Sequence, residues 1–426
     1  MEEPPSCSSR DWGLEPFIHQ VGGHSPLFCL DSSTVCKPFE EREHSFYSNM
    51  PDCLLPFTPQ FKGSMEVKIV EDQEGYITLK GLPPNSFRHL HRALGSARPK
   101  MRLKRCGSIE IESAPRQICD QYFTDEKVAE EKLYNPWALK CHRDNLKKMG
   151  ITLYRDLELN STTAASSETC QQYILLENLT SKHKHPCVLD LKLGTRQHGD
   201  AASAAKKQSK AAKVASTTSG ALGLRLGGMQ VYQVSLGRYI CRNKHYGRGL
   251  SVDGVKNALR QFFCNGLLVR TDVIRALLAK LAQLRRLLSD LDSFRFYTSS
   301  LLVTYDGSSS YHWSPVPRNS FSTSSLVLIA ASRTQQLPEH VSRGARGPRV
   351  RHRSMSDDTC RHVSRVTTPA SDLVDLRLID FAHSTHRGLH DSCVHQGLDQ
   401  GLLFGLDSFV NILKEIEQTV GKHGVS

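Results

Sequence analysis

The chain has 426 residues, 39% of them hydrophobic, and a formal net charge of +12. This hydrophobic fraction is enough to build a folded core, so we exclude a chain that is disordered throughout. The first residues carry no secretory signal, and no apolar run approaches the ~18 residues that a membrane span needs. We therefore expect a protein of the cytoplasm and nucleus with no membrane partner. The 13 cysteines form no CxxC pair, so we expect reduced thiols and no zinc finger.

The excess positive charge belongs mainly to two segments. Residues 88–105 contain seven Lys or Arg and no acid, and residues 343–365 contain seven Arg and two acids. Neither segment carries an aromatic side chain on which a nucleobase could stack. The confinement of the charge to these two segments and their lack of aromatic side chains therefore argue against nucleic acid as a partner. Protein partners of these basic segments remain open.

In chain order, the composition alternates between ordered and unordered parts. Short apolar runs broken by turn residues predict a β-rich lobe over 14–80, and an Arg-rich, Ser-rich composition predicts a flexible basic insertion over 81–132. Strands and helices return over 133–306 and 372–420, which we predict to form a second, C-terminal lobe that carries catalysis. Between these two pieces, 307–371 is too long and polar for a compact loop, so we predict a disordered Ser/Arg-rich insertion in a β-hairpin. The fold class is therefore α+β.

Three helices of the second lobe are predicted from their composition and spacing. They cover residues 251–263, 271–291 and 402–420. In the middle one, leucines and other apolar residues recur at 3.6-residue spacing, which is typical of a helix that faces the core.

The strongest candidate for chemistry is the segment PCVLDLKLG at 186–194. Its apolar residues predict a buried strand, and side chains two residues apart on a strand project from the same face. Asp190 and Lys192 would therefore lie side by side. Such a pair is either part of a site or a structural ion pair, and the strand alone leaves both readings open.

A polar run and a cationic helix follow this strand. The run at 195–200 (TRQHGD) includes Arg196 and His198. Farther on, four lysines are spaced to share most of one helix face: Lys206, Lys207, Lys210 and Lys213. Strand, turn and helix together would make a basic wall suited to a polyanion. A solvated amphipathic helix explains the lysines without any function.

Asp380 stands at the end of an apolar strand in Ile379-Asp380-Phe381. A carboxylate is costly to bury unless it binds something, and a magnesium ion that carries nucleotide phosphates is a natural ligand for it. The alternative is an acid in a β-turn.

Lys37 follows a short apolar strand, and Glu43 comes six residues later in a segment that could be helical. In the kinase template, a strand lysine contacts ATP phosphates and a helix acid steadies it. Alone this signal is weak, because exposed lysines are common on strand edges and the chain has no GxxxxGK[ST] loop.

Three of these segments resemble motifs of the inositol polyphosphate kinase family. PCVLDLKLG is similar to the family's PxxxDxKxG signature, 299–302 to its SSLL motif, and 379–381 to its IDF motif. The motifs occur in the family's order. Further stretches resemble the inositol hexakisphosphate kinase branch, among them 15–24, 135–142, 175–180, 195–200 and 228–233.

This resemblance implies a two-lobed fold, distantly similar to protein kinases and ATP-grasp enzymes, with ATP between the lobes. Lys37 would contact the nucleotide phosphates. Glu177, Asn178 and Leu179 would form the segment between the lobes that presents backbone groups to adenine. Asp190 would face the ribose or the transfer centre.

The resemblance also implies roles on the acceptor side. Lys192 would lie between the transferred phosphate and the inositol substrate, and Ser300 and Asp380 would hold Mg²⁺. Substrate phosphates would contact Lys192 and the basic wall, which comprises Arg196, His198, Lys206, Lys207, Lys210 and Lys213. In the family an acidic stretch commonly follows TRQHGD, whereas residues 201–206 contain no acid here, so the substrate pocket is expected to differ in detail.

The expected function is ATP-dependent phosphorylation of inositol hexakisphosphate to a diphosphoinositol product. One alternative is a related multikinase or trisphosphate kinase that acts on ring hydroxyls of lower inositol phosphates. Another is a non-catalytic basic scaffold or nucleic-acid binder.

Overall fold

The computed structural model describes residues 12–72, 76–82, 100–103, 109–112, 135–157, 169–308 and 372–423. Except for Gly307 and Ser308, the predicted insertion at 307–371 lies outside the described residues, as does most of the predicted insertion at 81–132. Among the described helices, none combines the length and the apolar character required to span a membrane.

The N-terminal part of the chain builds one antiparallel sheet of nine strands. They are β1 (Trp12–Gly13), β2 (Glu15–Pro16), β3 (Phe28–Asp31), β4 (Thr34–Pro38), β5 (Phe61–Glu71), β6 (Ile77–Leu82), β7 (Lys100–Leu103), β8 (Ile109–Glu112) and β9 (Thr169–Glu177). Their order is β2-β3-β4-β9-β5-β6-β7-β8, with β1 paired to β6. Two helices accompany them, α1 (Glu41–Ser48) and α2 (Pro136–Leu157).

This sheet corrects the predicted lobe boundaries. β7 and β8 lie inside 81–132, which we predicted to be a flexible insertion, yet they pair with each other as regular strands. β9 lies inside 133–306, which we assigned to the second lobe, yet it pairs with β4 on one side and β5 on the other. Its apolar run at 173–176 is buried at the centre of the first sheet. Such pairing between distant segments is not specified by local patterns.

The later part of the chain supplies seven more strands and six more helices among the described residues. The strands are β10 (Pro186–Leu193), β11 (Leu224–Gln233), β12 (Arg238–Arg242), β13 (Arg295–Phe296), β14 (Ser300–Asp306), β15 (Val374–Ile379) and β16 (Ser384–Thr385). Five of them form an antiparallel sheet in the order β12-β11-β10-β14-β15, and β13 pairs with β16. The helices are α3 (Ala204–Ala215), α4 (Thr218–Leu222), α5 (Lys244–Arg248), α6 (Val252–Phe262), α7 (Thr271–Ser289) and α8 (Gln400–His423).

The predicted helices of this part are present, and so is the predicted hairpin. The helices expected at 251–263, 271–291 and 402–420 are α6, α7 and α8. β14 and β15 pair in antiparallel register on either side of 307–371, as expected for an insertion in a hairpin. With these pairings, the described residues confirm the α+β class.

The main core lies between the second sheet and these helices, and β10 runs through the sheet's centre. Leu189, Leu191 and Leu193 belong to this core. Because side chains alternate along a strand, Asp190 and Lys192 project from the opposite face of the sheet.

Candidate active site

The segment between the two sheets runs from the end of β9 to the start of β10. The Asn178 side chain donates to the Ser32 carbonyl (2.9 Å) and accepts from the Thr180 hydroxyl (2.8 Å). Glu177 accepts a hydrogen bond from the backbone N–H just before β5 (3.2 Å), and Leu179 is buried. These side chains brace the connection, and the expected contact of its backbone with adenine stays a prediction.

A group of four charges, of which Glu43 is buried and the other three are largely buried, joins the two sheets. The Lys37 ammonium lies 2.8 Å from Asp380 Oδ1 and 2.7 Å from Glu43 Oε2. The Lys192 ammonium lies 2.7 Å from Asp380 Oδ2 and donates to the Thr298 carbonyl at 3.1 Å. We call Lys37, Glu43, Lys192 and Asp380 the Asp380 hub. Lys37 and Lys192, which the resemblance assigned to the nucleotide phosphates and to the transferred phosphate, thus both contact Asp380, the expected Mg²⁺ ligand.

Four elements deliver the hub residues to one point, since Lys37 lies on β4, Glu43 on α1 and Lys192 on β10. Asp380 follows β15 with a φ of +66°, a left-handed conformation that Asp tolerates better than most residues. Glu43 also accepts a hydrogen bond from the backbone N–H of Phe381 (3.1 Å). The Phe381 ring stacks on Phe46 of α1 at 4.5 Å. These contacts lock α1 to the second sheet.

Opposite charges dominate the electrostatics of the hub. Burial acts to raise the pKa of Asp380, but the ammonium groups of Lys192 and Lys37 outweigh it and hold that pKa well below its usual range. Burial acts to lower the pKa of Lys37, and the carboxylates of Asp380 and Glu43 turn the net shift upward. The pKa of Lys192 is raised in the same way, with burial outweighed by Asp380 and Asp190. Both lysines and Asp380 are therefore charged at neutral pH.

Asp190 lies in a slot between two glycines. A Cβ added at Gly22 would stand 2.1 Å from Asp190 Oδ2, and one at Gly227 would stand 2.6 Å from Oδ1. Burial raises the pKa of Asp190, an effect that the Lys192 ammonium partly opposes. Ser300 Oγ is close enough to lower that pKa as well. Among the described residues, however, neither Ser300 Oγ nor Asp190 Oδ1 makes a hydrogen bond of ordinary geometry.

Oxygen atoms without a hydrogen-bond partner within the described part of the chain, such as Ser300 Oγ and Asp190 Oδ1, are suitable ligands for a divalent cation that accompanies nucleotide phosphates. Mg²⁺ prefers carboxylate and hydroxyl oxygens and usually keeps several waters. Asp380 and Ser300 offer such atoms at the ends of adjacent strands β15 and β14, and their register pairs Ser300 with Ile379, one residue before Asp380. The glycine slot lets the backbone around Gly22 approach Asp190 closely, and a side chain there would fill the space.

Arg196 and His198 are held in a separate cluster beside the hub. The Arg196 guanidinium stacks on the Tyr297 ring at 4.0 Å and donates to the Tyr297 hydroxyl (3.0 Å) and to Asp200 (2.5 Å). His198 Nδ1 lies 3.1 Å from the Gly199 carbonyl. In this structure Arg196 is therefore committed to protein groups, and its expected contact with substrate stays a prediction.

The lysines of α3 form an open cationic surface, which we call the lysine face: Lys206, Lys207, Lys210 and Lys213. No residue of α3 is buried. Burial lowers the pKa of Lys210, and the neighbouring cations of Lys213, Lys206, Arg225 and Arg248 lower it further. The mutual repulsion indicates that these cations converge and that an anion placed among them would be attracted.

Several basic residues at this surface were missed by the sequence analysis. Arg225 is only 6% exposed, and the β10–β11 register pairs it with Lys192. Burial lowers the pKa of His24, and the charges of Lys244, Arg248 and Lys192 add to the shift. Burial also lowers the pKa of His383, with Lys206 contributing. Only the strand register could have revealed Arg225, because no local pattern marks it.

In the hub, a lysine on a strand of the first sheet pairs with a glutamate on a helix. The same lysine contacts an aspartate at the end of a strand of the second sheet. This is the arrangement of a kinase-type phosphotransferase.

The family model of inositol polyphosphate kinase matches residues 173–414. Inositol hexakisphosphate kinase 1 of Rattus norvegicus is 37% identical over 95% of this chain and 93% of its own length. Inositol hexakisphosphate kinase 2 of Oryctolagus cuniculus is 36% identical over 96% of each chain. The protein belongs to the inositol polyphosphate kinase family.

Among solved structures, this chain is similar to an inositol phosphate multikinase from S. cerevisiae in complex with ADP and Mn²⁺. The two are 24% identical with a TM-score of 0.38, over 57% of this chain and 84% of that chain.

Proposed function

We propose that this protein transfers the γ-phosphoryl group of ATP to a phosphate group of inositol hexakisphosphate and so forms a diphosphoinositol product. The observation that carries the proposal is the direct contact of Lys37 and Lys192 with Asp380, next to a converging set of basic side chains. The relatives named above, which share about a third of their residues with this chain over nearly its full length, support the choice of substrate.

The acceptor chemistry fits a site that is built from charges. The nucleophile would be a phosphate oxygen, which is already ionised near neutral pH, so no general base is needed. Catalysis then consists of positioning two polyanions and shielding their repulsion. Lys37 would hold the phosphates of ATP, and Lys192 would contact the transferred group as the bond to ADP breaks and the bond to the acceptor oxygen forms.

Mg²⁺ would be held by Asp380 and Ser300, with Asp190 close by, and would neutralise charge on the phosphates. For the ion to bind, Asp380 would share its oxygens with it while keeping at least one lysine contact. The lysine face, Arg225 and Lys244 would hold the acceptor. Because one phosphoanhydride is exchanged for another of similar energy, return of the phosphoryl group to ADP is also expected.

The test is incubation with ATP, Mg²⁺ and one inositol phosphate at a time, with products resolved by anion chromatography. We expect inositol hexakisphosphate to give a more acidic product together with one ADP per product formed. Consumption of tris- or tetrakisphosphates alone, with new phosphomonoesters, would favour a kinase that acts on ring hydroxyls. Failure of every inositol phosphate to react would overturn the proposal.

A further inference from the structure

A cluster of three metal-binding side chains lies outside the hub and the lysine face. We propose that Asp200, Cys393 and His395 bind a zinc ion, which fastens the loop before α8 to the segment that leads into α3. The three donor atoms all lie within 4.8 Å of one another. In the part of the chain that the structure describes, this is the one group of three or more such residues that meets that distance.

The distances within the cluster suit a shared ion. Asp200 Oδ2 lies 2.8 Å from His395 Nε2, and Cys393 Sγ lies 3.8 Å from the same nitrogen. Zinc binds sulfur at about 2.3 Å and nitrogen or oxygen at about 2.0–2.2 Å, so small rotations of these side chains would place one ion among them. The Cys393 thiol would lose its proton to solvent as the Zn–S bond forms, His395 would bind through Nε2 as a neutral imidazole with its proton on Nδ1, and water would complete the coordination.

The mixed donor set points to zinc among common cations. A thiolate and an imidazole are poor ligands for Mg²⁺ and Ca²⁺, which prefer oxygen, whereas zinc takes sulfur, nitrogen and carboxylate oxygen together. One thiolate and one carboxylate would also balance the charge of the ion. The nearby guanidinium of Arg196 would therefore not oppose binding.

The surroundings already orient the carboxylate and the imidazole. Arg196 donates to Asp200 Oδ1 (2.5 Å), which leaves Oδ2 directed at His395. The His395 ring packs edge-to-face on Tyr297 at 5.9 Å. Partners of this kind fix ligand orientation in known metal sites and strengthen binding.

The position of the cluster gives the zinc ion a role distinct from phosphoryl transfer. Asp200 ends the polar run 195–200, between β10, which carries Lys192, and α3, which carries the lysine face. Cys393 and His395 lie in the loop between the 3-10 helix Arg387–Leu389 and α8. A bound zinc ion would hold these two segments together and steady the substrate side of the cleft.

Zinc binding can be measured on the full chain without nucleotide or inositol phosphate, so the result is independent of the proposed reaction. The protein is stripped with a chelator and titrated with ZnCl₂ against a chromophoric competitor, and in parallel with CoCl₂. We expect Cys393→Ser to bind one tight equivalent of zinc fewer than the wild type and to lose the cobalt–thiolate absorption. We expect His395→Gln to lose the same equivalent.

The matched control is Cys170→Ser, which removes another exposed cysteine and should bind like the wild type. Zinc should raise the thermal unfolding midpoint of the wild type and of this control but not that of Cys393→Ser, and Mg²⁺ should have no such effect. Equal zinc stoichiometry in Cys393→Ser and the wild type would overturn the proposal. So would a cobalt–thiolate absorption that Cys393→Ser retains.

Discussion

The Asp380 hub and the lysine face are both rich in lysine, but they use it in opposite ways. In the hub, Lys37 and Lys192 are about four-fifths buried and each lies within 2.8 Å of a carboxylate. On the lysine face, the cations of α3 are exposed or half-buried, and the pKa of Lys210 is lowered by burial and by the neighbouring charges of Lys213 and Lys206. The hub charges are thus compensated within the protein, whereas in the proposed function the charges of the lysine face are compensated by the bound acceptor.

Because of this difference, substitutions in the hub should change the stability of the fold, whereas substitutions on the lysine face should change the affinity for the acceptor. Removing a hub charge takes at least one counter-ion from a largely buried partner, which is costly when no second counter-ion remains. Removing a lysine from the exposed face relieves repulsion and should leave the fold intact. Four substitutions test this contrast, in order from the largest expected effect to the smallest.

Lys192→Ala should have the largest effect on catalysis. Because Lys192 contacts Asp380 and faces the transferred phosphate in the proposed reaction, we expect kcat to fall by at least about 10²-fold. Asp380 would keep its contact with Lys37, so the unfolding transition should remain cooperative. Steady-state kinetics and circular dichroism measure the two effects. Activity above a few per cent of wild type would remove Lys192 from the mechanism.

Asp380→Asn should cost both activity and stability. Lys37 and Lys192 would lose the carboxylate that they share. Breaking a fully buried pair typically costs about 3–5 kcal/mol in free energy of unfolding; because the Asp380 side chain is 29% exposed and Lys37 keeps Glu43, we expect a loss at or below the lower end of that range. Urea unfolding measures this loss.

Measuring the unfolding free energy of wild type and Asp380→Asn at several pH values tests whether the loss of stability comes from the charge of Asp380. Since the pKa of Asp380 is lowered in the folded state, its stabilisation is present above the unfolded pKa of about 3.9 and is lost as pH falls below it. The difference in unfolding free energy between wild type and variant should therefore shrink in acid. A difference that is the same at every pH would contradict the assigned ion pairs.

Gly22→Ala should disturb the slot around Asp190. The new methyl group would stand 2.1 Å from Asp190 Oδ2, so the strand or the loop must shift, at a cost of about 1–3 kcal/mol. We expect a lower kcat/KM for ATP. Gly421→Ala is the matched control, because a Cβ at that helical position meets nothing within 4 Å. Equal kinetics for the two variants would show that the glycine slot is not part of the site.

Lys210→Ala should have the smallest effect and should act on the acceptor. We expect KM for inositol hexakisphosphate to rise about fivefold, equivalent to ~1 kcal/mol, with little change in kcat or thermal midpoint. The effect should weaken as salt is added. Lys256→Ala on α6, where Lys256 pairs with Glu415, serves as the control. A change in kcat without a change in KM would place Lys210 outside the acceptor site.

How far the sequence predicted the molecule depended on whether the signal was local. The helix at 271–291 and the strand at 186–194 follow from hydrophobic periodicity and are present as α7 and β10. The resemblance to one family implied that Lys37, Lys192 and Asp380 act around the phosphates and Mg²⁺ of one reaction, but their direct contacts were not predicted. Periodicity alone would have left Asp190 and Lys192 as a possible ion pair.

Contacts between residues that are far apart in the chain could not be predicted from the sequence. β9 completes the first sheet although more than 100 residues separate it from β4 and β5 along most of its length, and a strand's partners are not encoded in its own pattern. Arg225 meets Lys192 only through strand register. The zinc ligands were equally hidden, since Asp200 and His395 are 195 positions apart and neither stands in a recognised metal motif.

The most direct test of the proposed reaction is ³¹P NMR of the product formed from inositol hexakisphosphate, ATP and Mg²⁺. If the hub and the lysine face act together as described, the product shows phosphoanhydride resonances, and added ADP converts it back to ATP and inositol hexakisphosphate. A product with phosphomonoester resonances alone, or hydrolysis of ATP without any change in the inositol phosphate, would contradict it.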